Sequence, residues 1–208
     1  MQPKSRIALA IGALAALAAV TVALVAAFTS GGSASHPPPS AGGAFKGAAL
    51  VPSPLAPPFT LTDLEGDPVR LTSLRGEVVV IAFLDSTCSP GCVLVAQQVR
   101  GALDELEHRP QVLFVSLDPG ADTPASVRTF LQSAALASRV RWLVGPPRAL
   151  RSVWRAYRVT TPSAGRAAFE RALQVLLIDA DGRERVLFEQ EQLTPEALAH
   201  DIRTLQSG

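Results

Sequence analysis

Hydrophobic and polar positions divide the chain into three regimes. After Lys4 and Arg6, the run from Ile7 to Phe28 carries no charge and is apolar on every side of a helix. At ~1.5 Å rise per residue it would span roughly 33 Å, enough for a hydrocarbon core of about 30 Å. That is longer than the apolar stretch of a cleavable signal, about 7–15 residues, so the segment reads as a signal anchor. The small-residue string Ser33 to Ser35 keeps cleavage as the alternative. The basic residues before the helix remain in the cytoplasm, which predicts a single-pass protein of the cell membrane with the rest of the chain on the extracytoplasmic side.

From Thr29 to Pro58 the apolar pattern disappears into Gly, Ser, Ala and Pro. Such a stretch buries no core and predicts a tether. Regular patterning starts at Phe59. "FTLTDLEGDPVRLTSL" alternates around Gly-Asp-Pro and predicts a hairpin. "EVVVIAFLD" and "QVLFVSLD" are continuous apolar runs, as in strands buried on both faces. "VLVAQQVRGALDELEH" has helical periodicity and predicts a helix running from the cysteines to His108. In "DTPASVRTFLQSAAL", Asp122 or Thr123 caps a helix with Pro124 in its first turn. "VRWLVG" predicts a short strand, "RALRSVWRAYRV" a helix, and "LQVLLIDADGRERVLFEQ" a hairpin turning at Asp181-Gly182. "TPEALAHDIRTLQ" predicts a closing helix. The domain organisation is therefore a short cytoplasmic N-terminus (1–6), an anchor (7–28), a linker (29–58) and one domain (59–208). Helices alternating with buried strands give that domain an α/β sandwich with a central mixed, mostly parallel sheet.

Composition narrows the function classes. With 19 Lys and Arg against 18 Asp and Glu, the chain is nearly neutral, which implies no strongly charged partner and no nucleic acid. Arg148, Arg151, Arg155 and Arg158 read as a solvated helix face, with anionic lipid or an acidic partner as the alternative. Trp142, Trp154 and Tyr157 read as packing residues.

The two cysteines of the chain, Cys88 and Cys92, stand in "STCSPGC" between a buried strand and a helix. Loops at the carboxyl ends of strands are exposed on a rigid base, so reactive groups collect there. A helix N-terminus favours a thiolate, and Cys88, nearest that end, is expected to be the more acidic and accessible thiol. On a regular helix the pair would stand about 6 Å apart at Cα, within disulfide reach. A loop this short gives little stabilisation as an inert staple. Two cysteines alone do not make a structural zinc site. A redox couple is the favoured reading, with an inert disulfide as the alternative.

The stretches "FTLTDLEGDPVRLTSLRGEVVVIAFLDSTCSPGC", "VLFVSLDPGADTPASVRTFL", "RWLVG" and "LLIDADG" resemble the SCO/SenC family, in family order from Phe59 to about Phe188. The resemblance implies a thioredoxin-like fold and a role in assembly of the copper site of cytochrome c oxidase. It also implies copper held by two cysteines and a histidine. That histidine would stand eight residues before Asp179, where this chain has Arg171. Arginine has no lone pair for a metal. Of the three histidines, His36 falls in the tether, and His108 and His200 read as solvated helix residues. Cys88 and Cys92 alone can still hold Cu(I), for which sulfur is suited. Arg171 beside them would stabilise a thiolate and tilt the chemistry toward thiol–disulfide exchange. Asp118 matches the family's "DP" and would orient the site or take a proton, or else serve as a turn residue. Asp85, three residues before Cys88, would oppose a thiolate if it faced the sulfurs. The expected partners are a cytochrome c oxidase subunit or another exported thiol protein. A general exported thiol–disulfide oxidoreductase or thiol peroxidase is the first alternative, and a binding module without chemistry the second.

Overall fold

The computed structural model describes residues 44–88, 90–161, 165, 169 and 172–208. The expected anchor (7–28), most of the tether, His36 and Arg171 lie outside the described residues. Among those that are described, no helix is long and apolar enough to cross a membrane.

The β-branched run Val79–Leu84 forms the central strand β4, and all six of its residues are buried. Its length and unbroken apolarity demand cover on both faces, and the remaining elements provide it. The other strands are β1 (Ala48–Ala49), β2 (Thr60–Thr62), β3 (Pro68–Arg70), β5 (Gln111–Ser116), β6 (Arg141–Leu143), β7 (Gln174–Ile178) and β8 (Glu184–Glu189). Strands β2 and β3 make the expected hairpin, closed by Asp63, whose backbone N–H and carboxylate both bond Asp67. The main sheet has the order β1-β8-β7-β4-β5-β6. It is mixed, as expected, but not mostly parallel. Only β4–β5 and β5–β6 run parallel, because the β7–β8 hairpin inserts beside β4 and β1 adds a further antiparallel edge.

The helices are α1 (Pro90–Asp104), α2 (Pro124–Ser133), α3 (Pro147–Ala156) and α4 (Pro195–Gln206). Thr123 and Thr194 cap α2 and α4 by accepting from the N–H groups of Ser126 and Ala197, each followed by proline in the first turn. Helix α1 ends at Asp104, not at His108. Leu106 drops into the core instead of continuing the helix, which leaves His108 in an exposed loop.

The predicted tether also ends sooner than Pro58. The N–H groups of Lys46 and Gly47 donate to the carboxylate of buried Asp201, at 2.8–3.0 Å. Leu50 and Ala56 bond the backbone of Arg185 and Gly182, and Pro57 accepts from the Tyr157 hydroxyl. These bonds are made by the strap's backbone, which side-chain pattern does not reveal, and Phe45, Leu50 and Ala56 pack against the core beside them.

Register assigns the two faces. Ala82 pairs with Phe114, whose ring meets Trp142, and Trp142 meets Phe130 of α2. The opposite face carries Phe83, packed on Tyr157 just after α3. Strands β4, β5 and β6 run the same way, so Leu84, Ser116 and Leu143 end at one edge of the sheet. β7 runs against β4 and therefore starts at that edge. The whole β6–β7 connection, α3 included, begins and ends where the cysteines are.

Candidate functional site

At the end of β4 the chain turns through Asp85, Ser86, Thr87 and Cys88 before α1 begins at Pro90. Asp85 builds the turn: its Oδ1 accepts from the N–H and the hydroxyl of Thr87, both at 2.9 Å, and its carbonyl accepts from Cys88 N–H. Its carboxylate is thus committed to the loop backbone. A second carboxylate pins the loop from β5. Asp122, 5% exposed, accepts from Ser86 N–H at 2.7 Å and from the buried Ser116 hydroxyl at 2.6 Å.

Cys88 and Cys92 form a disulfide with their Cα atoms 5.8 Å apart, an ordinary disulfide separation; Cys88 precedes α1, so the pair does not share a helical face as regular spacing would have it. Cys92, in the first turn of α1, is fully buried, whereas Cys88 is half-buried. The expected difference in access holds. The roof over this turn is tight. A Cβ on Gly91 would lie 2.8 Å from Leu173 Cδ1 and 3.4 Å from Gln190 Nε2, so the segment entering β7 closes directly over the cysteine turn.

Asp118 stands one step back. It is exposed, and its Oδ1 accepts from the N–H groups of Gly120 and Ala121. Its carbonyl accepts from Asp122 N–H at 2.9 Å, so it holds the turn that presents Asp122. Sequence reasoning saw Asp122 only as a possible helix cap and missed its contact with the cysteine loop. Thr123 takes the cap, and the one available signal was a polar Ser116 ending an otherwise apolar strand.

Burial pushes the Asp122 carboxyl above its ordinary range, the Ser116 and Ser86 bonds oppose this, and the Asp85 charge adds to it. A group whose folded pKa is raised stabilises the fold below its unfolded value, near 3.8, and that contribution is lost as pH rises through the folded pKa. Asp122→Asn keeps an acceptor for Ser86 and a polar partner for Ser116 but does not titrate. Denaturant midpoints measured upward from about pH 4 should therefore fall in the native protein relative to the variant. A difference that stays flat across that range would rule this out.

Among the described residues no three His, Cys, Asp or Glu side chains converge to hold a metal ion. The His200 ring bonds the Asp201 carboxylate, which itself anchors the N-terminal strap. The residues described here do not form the three-ligand copper site that the family resemblance implies. They offer two sulfurs.

Comparison with known proteins places this geometry. A putative peroxiredoxin of Mycobacterium tuberculosis is 32% identical over 108 residues, which cover 52% of this chain and 66%, just under two thirds, of that protein. The structure of Bradyrhizobium japonicum ScoI with copper bound matches with a TM-score of 0.55 and 27% identity, over 73% of this chain and 99% of that one. Apo Sco1 from Thermus thermophilus matches with a TM-score of 0.62 and 22% identity, over 77% and 96%. The thioredoxin-like fold is common to these Sco structures. The sequence profile of the SCO1/SenC family matches residues 48–207, from the first strand of the sheet to just past α4, and the chain belongs to that family.

Proposed function

We propose that the chain is a membrane-anchored, exported SCO-like protein whose Cys88–Cys92 dithiol serves assembly of the cytochrome c oxidase copper site by thiol–disulfide chemistry. The observation that carries this reading is the disulfide itself, set between a buried strand and a helix N-terminus with one sulfur-bearing residue half open to solvent. In the reduced chain the Cys88 thiolate attacks a partner disulfide, whose S–S bond breaks to release one partner thiolate. Cys92 then attacks Cys88 in the mixed disulfide and releases the second. Two electrons pass to the partner, and Cys88–Cys92 is left oxidised. Burial of Cys92 restricts the first attack to Cys88. The N-terminus of α1 favours the thiolate of Cys88.

Asp118 and Arg171 are supporting residues. Asp118 acts through the turn that presents Asp122. Arg171 acts as a fixed positive charge favouring the thiolate, in the place where the family's histidine is expected. Copper is cargo on this reading: the reduced pair holds Cu(I) weakly through two soft thiolates. The ScoI structure with copper bound supports copper as a class of cargo. Exported location follows from the apolar Ile7 to Phe28 run behind Lys4 and Arg6.

The peroxiredoxin relative favours a second reading, in which the same Cys88 thiolate reduces a peroxide and Cys92 resolves the product. The two readings separate on the substrate. The test of the shared chemistry is whether Cys88–Cys92 behaves as a reversible two-electron couple, read by thiol trapping across defined redox buffers.

A further inference from the structure

Helix α3 and its C-terminal continuation, residues 147–159, contain no carboxylate but carry Arg148, Arg151, Arg155 and Arg158, all exposed. Among the described residues, Arg148, Arg151 and Arg155 make no ion pair and no side-chain hydrogen bond; Arg158 lies near the buried carboxyl of Glu184. The four arginines and Trp154 line one shallow cavity of about 620 Å³. The indole is fixed there, since its N–H donates to Ser116 O at 3.0 Å. Ser116 ends β5 beside Leu84, at the cysteine edge of the sheet. The arginine ridge therefore lies at the same end of the domain as the disulfide. On α1, immediately after Cys92, Val93 and Leu94 are 36% and 39% exposed, which adds an apolar patch to that end.

Unpaired positive charge invites an anionic surface, and here it is concave and built around a rigid aromatic ring. Arginine and tryptophan lining one pocket is the composition of protein–protein hot spots. A lipid surface would need neither the cavity nor a fixed indole. We infer that the α3 ridge docks an acidic segment of a partner protein, the one whose cysteines exchange with Cys88. The identity of that partner rests on the thiol-exchange reading above, while the docking surface stands on the charge and shape of α3.

The test uses the full-length oxidised chain in non-ionic detergent and calorimetric titration with two peptides. One is rich in Asp and Glu, the other is its Asn and Gln counterpart, and both lack cysteine so that no exchange occurs. The acidic peptide should bind and the amide peptide should not, with affinity falling as salt is raised. The triple reversal R148E/R151E/R155E should weaken acidic-peptide binding at least about tenfold. The neutral triple R148Q/R151Q/R155Q should fall between, which separates charge from any damage to the fold. Equal binding of both peptides, or an acidic affinity untouched by reversal, would overturn the inference. So would reversal-sensitive binding to mixed micelles carrying phosphatidylglycerol without any binding of the acidic peptide. Because these readouts involve no exchange, failure of the thiol chemistry leaves a separate signature, in the redox titration alone.

Discussion

Replacing Cys88 with serine should reduce disulfide exchange by this protein to the uncatalysed background. Replacing Cys92 should instead trap a stable mixed disulfide between Cys88 and the substrate. The asymmetry follows from burial. Cys92 is fully buried, so a substrate disulfide reaches only the half-buried Cys88. Loss of Cys88 removes the nucleophile; loss of Cys92 removes the group that resolves the intermediate. Non-reducing electrophoresis after incubation with a model disulfide distinguishes the two. In cells, neither variant should support assembly of the oxidase copper site. Full assembly with both variants would leave only a scaffold role for the fold, and a mixed disulfide trapped at Cys92 in Cys88→Ser would reverse the proposed order of attack.

Arg171→His should convert a weak Cu(I) binder into a stronger one. Two thiolates satisfy Cu(I) in part; a neutral imidazole adds a third donor, whereas a guanidinium adds only a positive charge that opposes the cation. Anaerobic titration of the reduced chain against a competing chelator should show a gain of at least about tenfold, worth about 1.4 kcal/mol. The same variant should lose the positive charge proposed to favour the thiolate and so exchange disulfides more slowly at neutral pH. Unchanged copper affinity would mean that residue 171 has no part in the site.

Much of this was legible in the residues because burial and turn chemistry leave strong marks. Val79–Leu84 reads as a strand covered on both faces, and Thr-Pro announced α2 and α4 through caps that the side chains do form. The placement of Cys88 and Cys92 between a buried strand and a helix was legible, although the helix starts only after Cys88. What escaped was whatever is held by backbone or by contacts distant in sequence. The strap from Phe45 to Pro57 has the composition of a linker, and its attachments to Asp201 and Tyr157 cross 155 and 100 residues. Asp122 looked like a cap because its bonds to Ser86 and Ser116 depend on β4 and β5 lying side by side. The proportion of parallel strands was overestimated because nothing in β7 itself says that it inserts next to β4.

The decisive observation is whether the pair is reversibly reduced in the folded chain and which of the two freed sulfurs reacts first. Full-length chain equilibrated in dithiol buffers of stepped potential, quenched in acid, alkylated and mapped by mass spectrometry should show one reversible two-electron transition. Brief alkylation of the reduced form at neutral pH should label Cys88 well before Cys92. Two cysteines that resist reduction until the fold is lost, or Cys92 reacting first, would contradict the reading of this pair as an accessible redox couple.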